Sequence, residues 1–148
     1  MIVTARKLAN ASPKRPRQAE LRRAVSTAYY ALFHVLAREA ADLLVGVGAE
    51  RPDKAWAQVY RSLQHGDAKN ACTQVENLKF SGHIVDLAKA FIALQELRHR
   101  ADYDPEYRLQ RADAITAIEL AESAVERLKA ASRKERRAFM VLLIFKRR

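Results

Sequence analysis

Several residue types are scarce in this 148-residue chain, and their scarcity excludes whole classes of protein. The single cysteine, Cys72, cannot close an intramolecular disulfide, so a disulfide-stabilised secreted fold is excluded. Four glycines and four prolines provide too few turns for a many-stranded β fold, and they exclude a collagen-like chain. Because 49% of the residues are apolar, the chain can bury the core of one domain.

Long apolar runs and metal-ligand clusters are also lacking. No stretch approaches the roughly 18 apolar residues of a membrane span, and residues 1–12 lack the apolar run of a signal peptide. We therefore expect no membrane span and, with one cysteine, a cytoplasmic location. The four histidines are scattered, so the sequence predicts no metal site and no other cofactor.

Positive charge is concentrated at the two ends of the chain. The net charge is +6 for residues 1–23 and +6 for residues 133–148, whereas residues 24–132 carry −2. Basic ends would attract a polyanion in a salt-dependent way, with RNA as the first candidate and DNA as the second. The alternative, that these charges only keep the protein soluble, is equally open at this point.

The strongest periodic pattern places apolar residues every three or four positions from Leu21 to Leu44. This spacing predicts one helix of roughly 25 to 30 residues, which begins near Pro16 and ends at Gly46 and Gly48.

Further helices follow from the same reasoning. The segments so predicted are residues 53–64, closed near Gly66, residues 68–75, and a helix from about Ile84 through Arg98 that stops before Pro105. Asp104 as N-cap and Pro105 as first helical residue predict another helix, which runs to about Ala131. Since no strand is needed, we predict an all-α fold, an antiparallel bundle of four to five helices.

Three regions are predicted along the chain: a basic N-terminal arm (1–16), the helical bundle (17–132) and a basic and apolar C-terminal helix or tail (133–148). The run AFMVLLIF at residues 138–145 is apolar on all sides as a helix, so we expect it to be buried from several sides or to contact a partner. A subunit interface is the favoured interpretation, while an interfacial membrane anchor and a disordered tail are the alternatives.

The main candidate for a functional side chain is Arg98. It continues the apolar stripe of the helix that contains Phe91 and Leu94, so it must be paired or must face a crevice or a subunit interface. Asp102, four residues later, can form a helical ion pair with it. A guanidinium in a crevice could also hold a phosphate.

Two other clusters combine aromatic, histidine and basic residues. Ser26, Tyr30 and His34 lie four residues apart along the long helix, where they could also be ordinary boundary residues. Arg61 and His65 lie one turn apart, and we expect His65 near a helix C-terminus, where the helix dipole favours its charged form.

The chain resembles the HEPN domain family (higher eukaryote and prokaryote nucleotide-binding) over roughly residues 17–132. The residues that carry the resemblance are the string RRAVSTAYYALFHVLAREAADLL at 22–44 and the string LRHRADYD at 97–104. The resemblance implies a helical bundle that forms a homodimer and is often encoded beside a nucleotidyltransferase in prokaryotic toxin–antitoxin or defence modules. It also implies that many members are metal-independent endoribonucleases.

Those nucleases resemble one another in an arginine followed five residues later by a histidine, and here the residue five after Arg98 is Tyr103. Because Tyr103 is a poor base at neutral pH, we expect binding of RNA, a nucleotide or a nucleotidyltransferase partner around Arg98, Asp102, Tyr30 and His34. Two alternatives stay open: an active ribonuclease toxin that uses Arg98 with His99, His34 or Tyr103, and a purely structural interaction module.

Overall fold

The computed structural model describes residues 1–12 and 14–146. Over this part of the chain it contains seven α-helices and no strand, which confirms the all-α prediction. The helices are α1 (Ile2–Ala9), α2 (Gln18–Leu44), α3 (Asp53–Ser62), α4 (His65–Cys72), α5 (Gly82–Tyr103), α6 (Arg111–Ala130) and α7 (Arg133–Ile144).

Helices α2, α5 and α6 form the centre of the bundle. Arg22, near the start of α2, bonds to the Ala101 carbonyl near the end of α5. Asp86, near the start of α5, pairs with Arg127 near the end of α6. Helix α5 is therefore antiparallel to both neighbours. Many of the buried positions of α2 and α6 are alanines, which let helices approach closely.

The long second helix agrees with the periodicity of the sequence. It spans 27 residues and ends shortly before Gly46, whose φ of +127° favours a residue without Cβ. Leu21, Val25, Tyr29 and Leu32 on its inner face are fully buried. The predicted stripe is thus the stripe that packs against α5 and α6.

The predicted helix start at Asp104 and Pro105 is wrong. Helix α6 begins at Arg111, where the side chains of Gln110 and Asp113 form a reciprocal capping box. Residues 104–110 instead form a connection that is tied to α2, because Gln18 bonds through its side-chain amide to both backbone groups of Leu109. The better cap and these tertiary bonds override the local Pro signal.

The predicted helix boundaries around residue 66 are also wrong. Helix α3 ends at Ser62, and Gly66 lies inside α4, which covers 65–72 instead of the expected 68–75. His65 is therefore the first residue of a helix and not one of the last. The positive end of the α4 dipole lies beside His65, so the dipole disfavours the charged imidazole that we expected it to stabilise.

The C-terminal segment is part of the core of this chain. Phe139, Met140 and Leu143 of α7 are buried, and α7 packs against α2 and α4. Residues 133–144 are helical, which contradicts the disordered alternative for that stretch, and Val141 and Phe145 keep an exposed apolar edge. No helix in the described ranges is both long and apolar enough to cross a bilayer.

Candidate anion-binding site

Arg98 occupies a core position of α5. Its exposure is 8%, and it is the one buried charged residue among those described. The guanidinium carbon lies 5.0 Å from the ring centre of Tyr29 and 5.8 Å from that of Tyr30. Both rings belong to α2, and their faces attract a cation in place of water. The helical phase of the sequence thus correctly predicted a cation among apolar side chains.

The buried guanidinium has little to neutralise it. Its Nη1 lies 3.4 Å from Asp102 Oδ2, a long ion pair whose carboxylate is itself partly exposed. Its Nε is buried without a hydrogen-bond partner among the described residues. A buried donor of this kind costs free energy until it is paired. Arg98 therefore retains capacity for an additional anionic partner.

Arg98 lines a cavity of about 300 Å³ between α4 and α5, hereafter the Arg98 cavity. The other lining residues are Lys69, Gln95, Glu96, His99 and Arg100. Lys69 and Glu96 form an ion pair of 3.6 Å across its edge. Two arginines, one lysine and a single carboxylate give the cavity a positive balance, which suits a small oxyanion or one phosphate of a larger ligand.

His65 lies against the same two tyrosines as Arg98. Its Nδ1 is 2.6 Å from the Tyr29 hydroxyl, and its ring stacks on Phe33 with centroids 4.2 Å apart. Burial raises the pKa of Tyr29 well above its usual range, so the hydroxyl keeps its proton. Burial, together with the charges of Arg98 and His34, lowers the pKa of His65, so the imidazole is neutral near pH 7.

The direction of the Tyr29–His65 hydrogen bond follows from the surroundings of the hydroxyl, which is protonated, buried and without any other hydrogen-bond acceptor among the described residues. The Tyr29 hydroxyl donates to Nδ1, so the proton of the neutral imidazole is on Nε2. His65 then offers a donor to a ligand and no free basic nitrogen. Gln95 supports the arrangement because its Nε2 donates to the His65 carbonyl, while its Oε1 is buried with no partner among the described residues.

The other predicted site residues separate into two groups. His99 lines the Arg98 cavity, and Tyr103 packs beside His99 with ring centres 4.9 Å apart while 65% of the tyrosine is exposed. Tyr30 lies under the guanidinium. His34 instead lines a separate groove between α1 and α2, where its Nδ1 is 2.8 Å from the Tyr60 hydroxyl.

Several basic residues of the two ends make ion pairs or hydrogen bonds within the chain. Arg6 pairs with Glu122, and Arg136 pairs with Glu39 at 2.7 Å. Arg22 donates to carbonyl oxygens at the end of α5. The ends are thus less free to meet a polyanion than their composition suggests. Arg147 and Arg148, which contribute to the basic C-terminal end, lie outside the described residues.

Sequence reasoning missed Lys69 and Gln95 near Arg98, and it grouped His65 with Arg61 and not with Arg98. Gln95 precedes Arg98 by three positions, so a search of the same helix face would have found it. Lys69 and His65 come from α4, whose packing on α5 no local pattern reveals. No group of three His, Cys, Asp or Glu residues in the described ranges is placed to hold a metal ion.

Comparison of the chain with protein-family models, with curated proteins and with solved structures gave no match. The HEPN resemblance therefore stays a prediction that rests on residues 22–44 and 97–104.

Proposed function

We propose that the protein is a HEPN-like helical protein that binds an anionic ligand, RNA or a nucleotide, through a phosphate held in the Arg98 cavity. The single observation that carries this proposal is the buried guanidinium of Arg98, which has one long ion pair and an unpartnered Nε. Arginine in a partly desolvated crevice is the side chain best suited to bind a phosphate, since its planar fork matches two phosphate oxygens.

Binding without cleavage is favoured by the state of the nearby side chains. Metal-free RNA cleavage requires a base for the 2′-hydroxyl proton. His65 contacts Tyr29, which lies under the Arg98 guanidinium. Its Nδ1 accepts the hydrogen bond of the Tyr29 hydroxyl and its proton is on Nε2, so neither nitrogen is free to act as a base. His34 lines a different groove, and Tyr103 is an exposed phenol. These three side chains supply phosphate donors more readily than a base, which leaves His99 as the one imidazole that lines the Arg98 cavity.

The proposal includes a homodimer and a protein partner. The exposed apolar edge of α7, formed by Val141 and Phe145, supports a subunit contact. A nucleotidyltransferase encoded alongside, in a toxin–antitoxin or defence module, is the partner that the HEPN resemblance implies.

The experiment is a binding and cleavage assay with the full chain, total RNA and a chelator. We expect RNA to be bound and left intact, and Arg98→Ala to weaken binding about tenfold or more, since bonds to a charged group contribute roughly 1.5–3 kcal/mol. Lys89→Ala is the control, because Lys89 is an exposed lysine of the same helix that pairs with Glu76. Its removal should leave RNA binding unchanged.

Active ribonuclease is the second candidate function, because His99 lines the same cavity as Arg98. If the wild-type chain cleaves RNA in the presence of chelator and Arg98→Ala abolishes that cleavage, the ribonuclease function is supported. Unchanged RNA binding in Arg98→Ala, accompanied by lower stability, would instead select the structural interaction module.

A further inference from the structure

Four rings form a row along the contact between α2 and α3, hereafter the aromatic row: Trp56, Tyr60, His34 and Tyr30. Trp56 and Tyr60 lie one turn apart on α3, with ring centres 5.2 Å apart and planes inclined by 20°. Tyr60 and His34 follow at 6.0 Å and 11°, and His34 and Tyr30 at 6.1 Å and 30°. The row is therefore continuous between the two helices.

Hydrogen bonds hold the rings in place. The Trp56 indole N–H donates to Asp42 Oδ1 at 2.8 Å, and the Tyr60 hydroxyl is 2.8 Å from His34 Nδ1. Fixed rings lose little conformational freedom when a ligand stacks on them. His34 is exposed and the other three rings are half-buried, so the row reaches the surface.

The aromatic row ends at a cation on each side. Tyr30 lies beneath the Arg98 guanidinium at 5.8 Å, and at the other end Arg51 lies 4.3 Å from the Trp56 ring centre. Two further arginines near the row are exposed. Arg38 lies one helical turn after His34, and Arg61 directly follows Tyr60 in the chain. Fixed rings flanked by cations are the combination that proteins use to bind single-stranded nucleic acid.

We infer that the aromatic row is a base-stacking surface for a short stretch of single-stranded RNA whose phosphate occupies the Arg98 cavity, an inference that rests on the proposed function. Four rings suit a few nucleotides, at the lower end of the roughly 4–16 that one single-strand-binding fold covers. Duplex RNA fits poorly, because its paired and stacked bases do not present their faces.

Trp56 is the only tryptophan, so its fluorescence reports on this row directly. The experiment titrates the full chain with an oligouridylate of about ten nucleotides and, separately, with heparin, a polyanion without bases. We expect a saturable change of tryptophan emission with the oligouridylate and none with heparin. A duplex of the same length should bind more weakly than the single strand.

Variants separate the row from the rest of the surface. Tyr60→Leu and His34→Leu should each weaken oligouridylate binding roughly tenfold, because one stacked base contributes about 1–3 kcal/mol. Gln58→Leu is the matched control, since it changes an exposed residue of α3 that lies outside the row, and it should bind as the wild type does. Thermal unfolding establishes that each variant is folded.

Equal oligouridylate binding by Tyr60→Leu, His34→Leu and Gln58→Leu would overturn the stacking surface. If Arg98→Ala still weakens binding in that case, the proposed function stands and only this inference fails. If the wild-type chain binds neither the oligouridylate nor a nucleoside monophosphate, both fail. The same emission change with heparin as with oligouridylate would show that charge alone accounts for the binding.

Discussion

At the scale of single residues, the contrast between Arg98 and His65 shows what a local pattern can reveal. The position of Arg98 follows from its own helix, because the stripe through Phe91 and Leu94 leads directly to it. The role of His65 depends on Tyr29, 36 residues away, and on Arg98. Only the packed structure brings these three together, so sequence spacing could not predict them as one site.

The neutral state of His65 predicts a loss of stability in mild acid. Burial lowers its pKa in the folded protein, so the unfolded chain binds the proton more readily as the pH falls below the ordinary value of about 6.5. The stability contribution is full above that value and is lost as the pH falls toward the folded pKa. We expect the free energy of unfolding, measured in urea, to decrease between about pH 7.5 and about pH 5.5.

Two variants test the assignment of that pH dependence. His65→Gln keeps an acceptor for the Tyr29 hydroxyl and removes the titrating ring, so its stability should vary less over this range. His99→Gln changes an exposed histidine of the same cavity and should retain the wild-type dependence. A wild-type dependence in His65→Gln would show that another group is responsible.

At the scale of elements, helices with a long apolar stripe were predictable and short connections were not. Helix α2 matches its periodicity because many buried contacts along 27 residues enforce it. The start of α6 differs because Gln110 and Asp113 cap the helix at Arg111, while tertiary bonds hold residues 104–110 in another conformation. Capping partners of this kind are chosen by packing, which the Pro105 signal does not report.

Arg22 determines how α5 ends. It donates to the carbonyl oxygens of Ala101 at 2.6 Å and Asp104 at 2.8 Å, and also to that of Tyr107. Helix-terminal carbonyls lack partners within the helix, so one guanidinium satisfies several at once. We expect Arg22→Ala to lower the free energy of unfolding by about 2 kcal/mol or more in urea titrations.

The adjacent Arg23 is the matched control for this effect. It is exposed on the same helix, so Arg23→Ala removes the same charge and should change stability by less than about 0.5 kcal/mol. Equal stability of the two variants would show that the carbonyl contacts of Arg22 contribute nothing.

At the scale of the whole molecule, the two ends belong to the same core as the middle of the chain. Ala5 and Ala9 of α1 and Phe139 of α7 lie in one continuous buried cluster with α2, α5 and α6. Truncation of the C-terminal segment would therefore remove core residues as well as charge. The predicted role of the ends as free basic flanks applies to their exposed charges alone, such as Lys134 and Arg137.

The proposed function requires that Arg98 be retained for a ligand and not for the fold. Buried ion pairs often contribute little to stability, and replacement by an apolar side chain of similar length can be neutral or stabilising. Asp102 is exposed, so removing Arg98 would not leave its carboxylate stranded in the core. Function and stability should then respond oppositely to one substitution.

The most direct measurement compares Arg98→Met with the wild type in two assays, urea unfolding and single-stranded RNA binding. We predict that the free energy of unfolding stays within about 1 kcal/mol of the wild-type value or rises, while RNA binding weakens about tenfold or more. A loss of about 3 kcal/mol or more in stability with unchanged RNA binding would contradict the account, because Arg98 would then serve the fold and not a ligand.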